Sequence, residues 1–133
     1  QPYRMMNKIS YALNRQGKPM NGSTILFLGV AYKADIDDAR ESPALLVMEE
    51  CAKKRAKVLY HDPYIPEVVD EHGKKWTGVV LTDELIENAD CVVFTTAHSC
   101  FDVEDIVQKA KLVVDLKNMV KNVMAEDEKV FKL

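Results

Sequence analysis

Two cationic side chains, Lys33 and Arg40, occur in a polar segment, residues 29–43 (GVAYKADIDDARESP), that separates an apolar run from a helix start. Ser42 followed by Pro43 is a strong signal for the first turn of a helix, where unpaired backbone amides attract anions. Lysine, arginine and free amides are the groups with which proteins bind phosphate. The segment therefore predicts a site for a phosphate or pyrophosphate.

The same segment permits two other interpretations. Its cations can pair with its own acids and form a self-neutralised surface loop, in which each ion pair contributes about 1 kcal/mol or less. The possible pairs are Lys33 with Asp35, and Arg40 with Asp37, Asp38 or Glu41. The aspartates also allow a magnesium site or an aspartyl nucleophile of the haloacid-dehalogenase type. That nucleophile directly follows a strand, whereas these acids come five or more residues after Val30, which weakens the idea.

Polar side chains also follow two later apolar runs. His61 and Asp62 end the second predicted strand, where a Rossmann-like fold can contact a ribose with a carboxylate, but a turn stabilised by Asp62 and Pro63 is the favoured interpretation. The segment 95–99 (TTAHS) lies beyond another strand and could donate hydrogen bonds to a ligand. Since no acid is fixed beside His98 in the sequence, a hydrogen-bonding or structural role is favoured over a general base.

Alternating apolar and amphipathic segments predict the elements that position these residues. Helices are predicted at 3–15, 43–56, 83–89 and 102–110, and strands at 23–30, 57–63, 79–82, 90–96 and 111–116, with a possible tail strand at 129–133. Residues 64–78 are predicted to be mostly loop with helical patches. The alternation predicts an α/β fold, a doubly wound, mostly parallel Rossmann-like sheet with helices on both faces.

Composition excludes several classes of function. The 133 residues fit one ordinary domain, 47% of them are hydrophobic, and no apolar run is long enough to span a membrane. A net charge of −3 argues against nucleic-acid binding. The three cysteines (Cys51, Cys91 and Cys100) form no C-x-x-C pair, so we expect small buried hydrophobes in a cytoplasmic protein, without a zinc site. No G-x-G-x-x-G fingerprint occurs.

The stretch at residues 25–45, ILFLGVAYKADIDDARESPAL, resembles the C-terminal domain of the UDP-glucose/GDP-mannose dehydrogenase family, whose pattern there is L-G-x-A-Y-K-x-(x)3-D-x-R-E-S-P. Further similar segments are LNRQGKPMNGSTI, HDPYIP, ADCVVFTTAHSCFD and VVDLKN, so the resemblance spans nearly the whole chain. The His-Ser after the threonine pair is most similar to the branch acting on UDP-N-acetylhexosamines.

This resemblance implies a part of a larger enzyme. The family oxidises the C6 alcohol of a UDP-sugar to a carboxylate in two NAD-dependent steps, with catalytic residues from N-terminal and central regions that have no counterpart here. It implies that residues 1–20 are the end of the inter-domain helix and a linker, that 21–133 form the nucleotide-sugar-binding domain, and that the isolated fragment is inactive. Partners are then the enzyme's own other domains and a second subunit, which the expected exposed apolar stripe of residues 3–15 could contact.

By the same resemblance, Tyr32 and Lys33 contact the nucleotide-sugar substrate, and Arg40 reaches the NAD held by the other half. Lys117 stands where the family usually has a substrate-binding arginine, and it lacks the planar guanidinium of that residue. The resemblance implies no catalytic residue and no metal ligand in this chain. The alternative function is a non-catalytic α/β nucleotide-binding or dimerising interaction module.

Overall fold

Helices and strands alternate along the chain in a computed structural model that describes residues 2–39, 42–121 and 129–133. The helices in these ranges are α1 (Pro2–Arg15), α2 (Pro43–Lys53), α3 (Asp83–Asn88) and α4 (Val103–Lys109). The strands are β1 (Thr24–Leu28), β2 (Lys57–His61), β3 (Glu67–Val69), β4 (Lys75–Thr77), β5 (Cys91–Phe94), β6 (Val113–Asp115) and β7 (Val130–Lys132). All four predicted helices and the tail strand are confirmed.

Five of the strands form one parallel sheet in the order β2-β1-β5-β6-β7. The chain moves outward from β1 to β2 and then returns to the other side of β1, where it continues through β5 and β6 to β7. The direction of winding therefore reverses between β1 and β5. In open parallel sheets such a switch point opens a crevice beyond the carboxyl ends of the strands, which is where ligands bind.

The sheet is covered on both faces, as its sequence predicts. Alternate residues of β1 belong to different cores: Ile25 and Phe27 pack with α1 and α2, whereas Leu26 and Leu28 pack with α3 and α4. Side chains alternate across a strand, so a continuous apolar run is required when both faces are buried. The prediction of a doubly wound α/β sheet is confirmed.

Helix α1 packs within this chain. Its apolar residues Met5, Met6, Ile9 and Leu13 are buried in the same core as α2 and the sheet. The expectation that this stripe is exposed is therefore wrong, because the helix folds back onto its own sheet.

The segment between β2 and α3 differs from its prediction. Residues 64–78 contain an antiparallel hairpin of β3 and β4, with Val68 opposite Trp76. The hairpin is anchored because Trp76 is buried and its Nε1 donates to Asp70 Oδ2 at 3.0 Å. Residues 79–82 were expected to form a strand but lie outside the sheet, and Val80 is 80% exposed. Val79 contacts the edge of β2, where its amide donates to the Tyr60 carbonyl at 2.8 Å, but the segment does not continue beside β2 as a strand.

The start of α2 agrees in part with the predicted helix cap. Ser42 occupies the N-cap position of α2, as predicted, but its hydroxyl makes no capping bond and is buried without a partner.

Cys51 and Cys91 are buried, and burial raises the pKa of both thiols, for Cys51 to about 12. Cys100 is exposed, contrary to the prediction, because it lies on the loop that leads into α4. Within the described ranges no helix is long and apolar enough to cross a membrane.

Glu49 is a buried carboxyl on α2 that lines a cavity of about 210 Å³ with Ser42, Leu45 and Val69. Its Oε1 has no hydrogen-bond partner. Burial, and secondly the charge of Asp70, raise the pKa of Glu49. An acid whose pKa is higher in the folded than in the unfolded state destabilises the fold at pH values above its folded pKa, and has no such effect below its unfolded pKa.

We therefore expect Glu49→Gln to raise the free energy of unfolding at pH 7 by about 1 kcal/mol. The gain should shrink toward zero as the pH falls below the ordinary range of glutamate. Urea unfolding of both proteins from pH 7 to pH 3.5 measures this difference. Glu87→Gln on the exposed side of α3 is the matched control and should change little at any pH. Equal curves for Glu49→Gln and the unsubstituted chain would contradict the assignment.

Candidate functional site

The candidate site is the rim of the switch point, where the segments after β1 and β5 meet. Gly29 has a φ of 101°, and a Cβ at this position would overlap the Thr96 side chain, so the site requires glycine. The Thr95 hydroxyl donates to the carbonyl oxygens of Leu28 and Gly29, and the Thr96 hydroxyl donates to the Ala31 carbonyl at 2.9 Å. The two threonines thus bond to backbone, and their predicted role as ligand donors is not supported.

Asp62 fills the position that an anion could take in this crevice. Its carboxylate is completely buried, and Oδ2 accepts hydrogen bonds from the successive amides of Val30 at 2.8 Å and Ala31 at 3.0 Å. Successive backbone amides of this kind form anion-binding concavities. Oδ1 accepts from the Tyr64 amide at 2.8 Å. The favoured interpretation of Asp62 as a turn-stabilising residue is confirmed, and both of its oxygens are used within the protein.

His98 completes this buried network. Its side chain has no exposed surface, its Nε2 lies 2.9 Å from Asp62 Oδ2, and its Nδ1 accepts from the Asp35 amide at 2.8 Å. The rings of Tyr64 and Phe101 contact the imidazole at centroid distances of 4.8 Å and 5.6 Å. The structural role predicted for His98 is confirmed, although the carboxylate beside it was not anticipated.

The loop from Ala31 to Asp38 carries the first predicted substrate ligands. It is closed by a bond from the Tyr32 amide to the Asp38 carbonyl at 2.6 Å. Its middle is held by Asp35, whose Oδ1 accepts from the amide and the hydroxyl of Ser99. Asp35 has a φ of 61°, a left-handed conformation that aspartate tolerates better than most residues. The alternative in which Asp35 neutralises Lys33 is wrong, because Asp35 instead bonds to Ser99.

Tyr32 and Lys33 project from this fixed loop. Tyr32 is 46% exposed, and the Lys33 Nζ lies 6.0 Å from the centroid of its ring, at the outer limit of a cation–π contact. Lys33 is exposed and forms no ion pair with any carboxylate in the described ranges. Arg40, the predicted NAD contact, lies outside the described residues.

Lys117 is carried by the loop after β6, at the same edge of the sheet. The loop is organised by buried Asp115, whose oxygens accept from the amides of Lys117, Met119 and Val120. The Lys117 side chain is exposed. One strand, β5, separates β6 from β1, so the strand ends beneath Lys117 and Lys33 are about 10 Å apart.

A second concavity near this edge is unsuited to phosphate. Its volume is about 250 Å³, and it is lined by His61 and Phe101 together with the carboxylates of Asp83, Asp102 and Asp105. His61 bonds to the Val79 carbonyl at 2.8 Å. Over the described ranges, no three His, Cys, Asp or Glu side chains are grouped so that they could hold a metal ion.

The loop after β1, its glycine and the polar loop after β5 match a known family. The family model of the UDP-glucose/GDP-mannose dehydrogenase family, UDP binding domain, matches residues 26–122. The chain belongs to this family. Among curated relatives, a UDP-N-acetyl-D-mannosamine dehydrogenase of Methanococcus aeolicus is 30% identical over 109 residues, which are 75% of this chain and 23% of the relative. A UDP-glucose 6-dehydrogenase of Rickettsia bellii is 28% identical, over 90% of this chain and 29% of its own length.

Solved structures agree with this assignment of the fold. The NDP-N-acetyl-D-galactosaminuronic acid dehydrogenase of Methanosarcina mazei superposes with a TM-score of 0.78 and 28% identity, covering 99% of this chain and 28% of that protein. The UDP-D-ManNAc dehydrogenase of Pyrococcus horikoshii has the same TM-score and 24% identity over 98% of this chain and 30% of its own. The chain thus spans less than a third of the length of these relatives.

No local pattern in the sequence predicts the contact between Asp62 and His98. The two residues lie 36 positions apart, and each follows a different strand. A parallel sheet brings the carboxyl ends of its strands to one edge, so the strand order was the missing information.

We expect Asp62→Asn to destabilise the fold by about 2 kcal/mol or more. Asparagine has one acceptor oxygen, so either the amides of Val30 and Ala31 or the amide of Tyr64 would face a side-chain NH2 group instead of an oxygen. Urea denaturation measures the change. Asp37→Asn, an exposed substitution in the same charged segment, is the control and should lie within about 0.5 kcal/mol of the unsubstituted chain. Similar losses for the two variants would show that Asp62 is not an organising acceptor.

Proposed function

We propose that this chain is the UDP-sugar-binding part of an NAD-dependent nucleotide-sugar 6-dehydrogenase, which oxidises the C6 alcohol of the sugar to a carboxylate. The observation that carries the proposal is the exposed pair of Tyr32 and Lys33 on a fixed loop at the switch point. Lys33 has no competing carboxylate in the described ranges, so its charge is available to a ligand.

The chemistry of these side chains suits a uridine diphosphate. The Lys33 ammonium complements a phosphate through charge-assisted hydrogen bonds, and the Tyr32 ring offers a face on which a base can stack. Lys117 at the same edge supplies a second cation as a point charge, without the two parallel hydrogen bonds that an arginine would make. The backbone amides of the crevice are already bonded to Asp62, so we assign the ligand to side chains on the rim.

The residues after β1 do not fit NAD in the manner of a dinucleotide-binding turn. That turn needs glycines and free amides next to the pyrophosphate. Here the segment after β1 has Gly29 alone, packed against Thr96, and the amides of Val30 and Ala31 donate to Asp62. We therefore propose that NAD is held by another part of the enzyme and that Arg40 reaches toward it. The chain by itself is expected to lack turnover.

We propose a UDP-N-acetylhexosamine as the substrate, supported by the resemblance of the His98-Ser99 segment to the branch that acts on such sugars and by relatives named UDP-N-acetyl-D-mannosamine dehydrogenases. Residues 1–20 are proposed as the end of an inter-domain helix and linker, and 21–133 as the binding domain. Its partners are the enzyme's N-terminal and central domains and a second subunit. A cytoplasmic location agrees with the free thiols of Cys51 and Cys91.

Lys33→Ala should weaken UDP binding to the chain about tenfold, which corresponds to about 1.4 kcal/mol. The reason is the loss of one charge-assisted contact to a phosphate. Isothermal calorimetry measures the affinity. The matched control is Lys57→Ala, which removes an exposed lysine at the start of β2. This residue lies at the amino ends of the strands, away from Lys33, so its loss should leave binding within about twofold. Equal affinities for Lys33→Ala and Lys57→Ala would refute the assignment of Lys33.

The full-length gene product that contains this chain should form NADH from NAD and UDP-N-acetylmannosamine, whereas the 133-residue chain should bind UDP and form none. Absorbance of NADH measures both activities. Turnover with UDP-glucose and not with the N-acetylated sugar would correct the substrate. UDP binding by a full-length product that oxidises no UDP-sugar would favour the non-catalytic nucleotide-binding module instead.

A further inference from the structure

His98 lies in the segment after β5, and both of its ring nitrogens bond to segments on the other side of the switch point. Nε2 contacts Asp62, which follows β2, and Nδ1 contacts the Asp35 amide in the loop after β1. The imidazole is shielded from solvent at both contacts, because the His98 side chain is fully buried. A buried imidazole with two defined partners is fixed in both tautomer and orientation.

The two partners determine where the proton of His98 lies. Nδ1 accepts a hydrogen bond from the Asp35 N–H and therefore carries no hydrogen. The single N–H of the neutral ring is then at Nε2, where it donates to Asp62 Oδ2. Asp62 thus holds His98 in the tautomer that leaves an acceptor facing the loop. The rings of Tyr64 and Phe101 restrict rotation of the imidazole.

The hydrogen bond between the Asp35 amide and His98 affects the position of Tyr32 and Lys33. The loop is closed by the Tyr32 amide and the Asp38 carbonyl, and Asp35 is the residue at which it is tied to the segment after β5. Asp35 holds a left-handed backbone conformation, which is less favourable than the right-handed one and is retained where surrounding bonds stabilise it. Loss of the bond to His98 would leave Asp35 held by its two bonds to Ser99, so the part of the loop that carries both side chains would be less firmly fixed.

We propose that His98 is a positioning residue for the candidate UDP site: through Nδ1 it fixes the Asp35 amide and thereby orders the loop that presents Tyr32 and Lys33. The inference rests on the function proposed above, and it concerns a residue that does not touch the ligand. A loop that is ordered before binding loses less conformational freedom when the ligand arrives, so its affinity is higher.

Two substitutions separate the two bonds of His98. The side-chain oxygen of His98→Asn takes the place of Nδ1 and can accept from the Asp35 amide, but Asp62 loses the donor at Nε2 and keeps its backbone donors. The side-chain amide of His98→Gln reaches the position of Nε2 and can donate to Asp62, but it leaves the Asp35 amide without an acceptor. Both variants lose the packing of the ring, so comparing them isolates the contact to the loop.

UDP affinity of the chain is expected to fall about tenfold in His98→Gln and no more than about threefold in His98→Asn. Calorimetry measures the affinities, and thermal unfolding shows whether both variants are folded at the temperature of the assay. Wild-type affinity in His98→Gln, or an equal loss in the two folded variants, would overturn the role of Nδ1.

A measurement without ligand keeps this inference separate from the proposed function. Nitrogen-15 spectra of the histidine ring should show a protonated Nε2 and an unprotonated Nδ1. Amide hydrogen exchange at Asp35 should be at least tenfold faster in His98→Gln than in the unsubstituted chain, while amides of β1 keep their protection. If the unsubstituted chain fails to bind UDP, the proposed function falls, and the role of His98 in ordering the loop is judged by exchange alone. Unchanged exchange at Asp35 would overturn it.

Discussion

A buried carboxylate organises the ligand-facing edge of this domain. Asp62 accepts hydrogen bonds from two amides after β1, from the Tyr64 amide and from His98, and it is inaccessible to solvent. An unpaired charge in such a position would be strongly destabilising, so its donors are required for the fold as well as for the site. The segments after β1, β2 and β5 are therefore held together by one acceptor group.

This arrangement has a chemical consequence for ligand binding. In a dinucleotide-binding fold the amides beyond the first strand face the pyrophosphate. Here those amides face a protein carboxylate, and the crevice beneath the rim is filled by Thr95, Thr96 and His98. An anionic ligand is left with the side chains that project from the rim, among which Lys33 and Lys117 carry positive charge. The fold is of the nucleotide-binding type, but under the proposed function phosphate would be recognised by side chains instead of backbone amides.

Family membership and geometry support each other in different ways. The match over residues 26–122 assigns the chain to nucleotide-sugar dehydrogenases, and the parallel sheet explains why the matching segments lie together. The segments that begin at Gly29, Asp62, Thr95 and Leu116 all follow strands of one sheet, so they meet at one edge. Residues distant in the sequence thereby become neighbours around Asp62, and the loop after β1 is bonded to a histidine that follows another strand.

The sequence by itself determined the class of fold, because continuous apolar runs such as that of β1 permit burial on both faces and little else. It also predicted the starts of α2 at Pro43 and of α3 at Asp83, and that of α4 to within one residue, because the signals for helix starts are local. The segments that resemble the family also predicted that Tyr32, Lys33 and Lys117 lie in loops. The hairpin of β3 and β4 was not predicted, because short strands are stabilised by contacts that a local pattern does not show. Here the stabilising contact is the hydrogen bond between Trp76 and Asp70. Strand order, the burial of α1 on its own sheet and the bond between Asp62 and His98 were decided by tertiary structure alone, since each joins segments that carry no local signal of their contact.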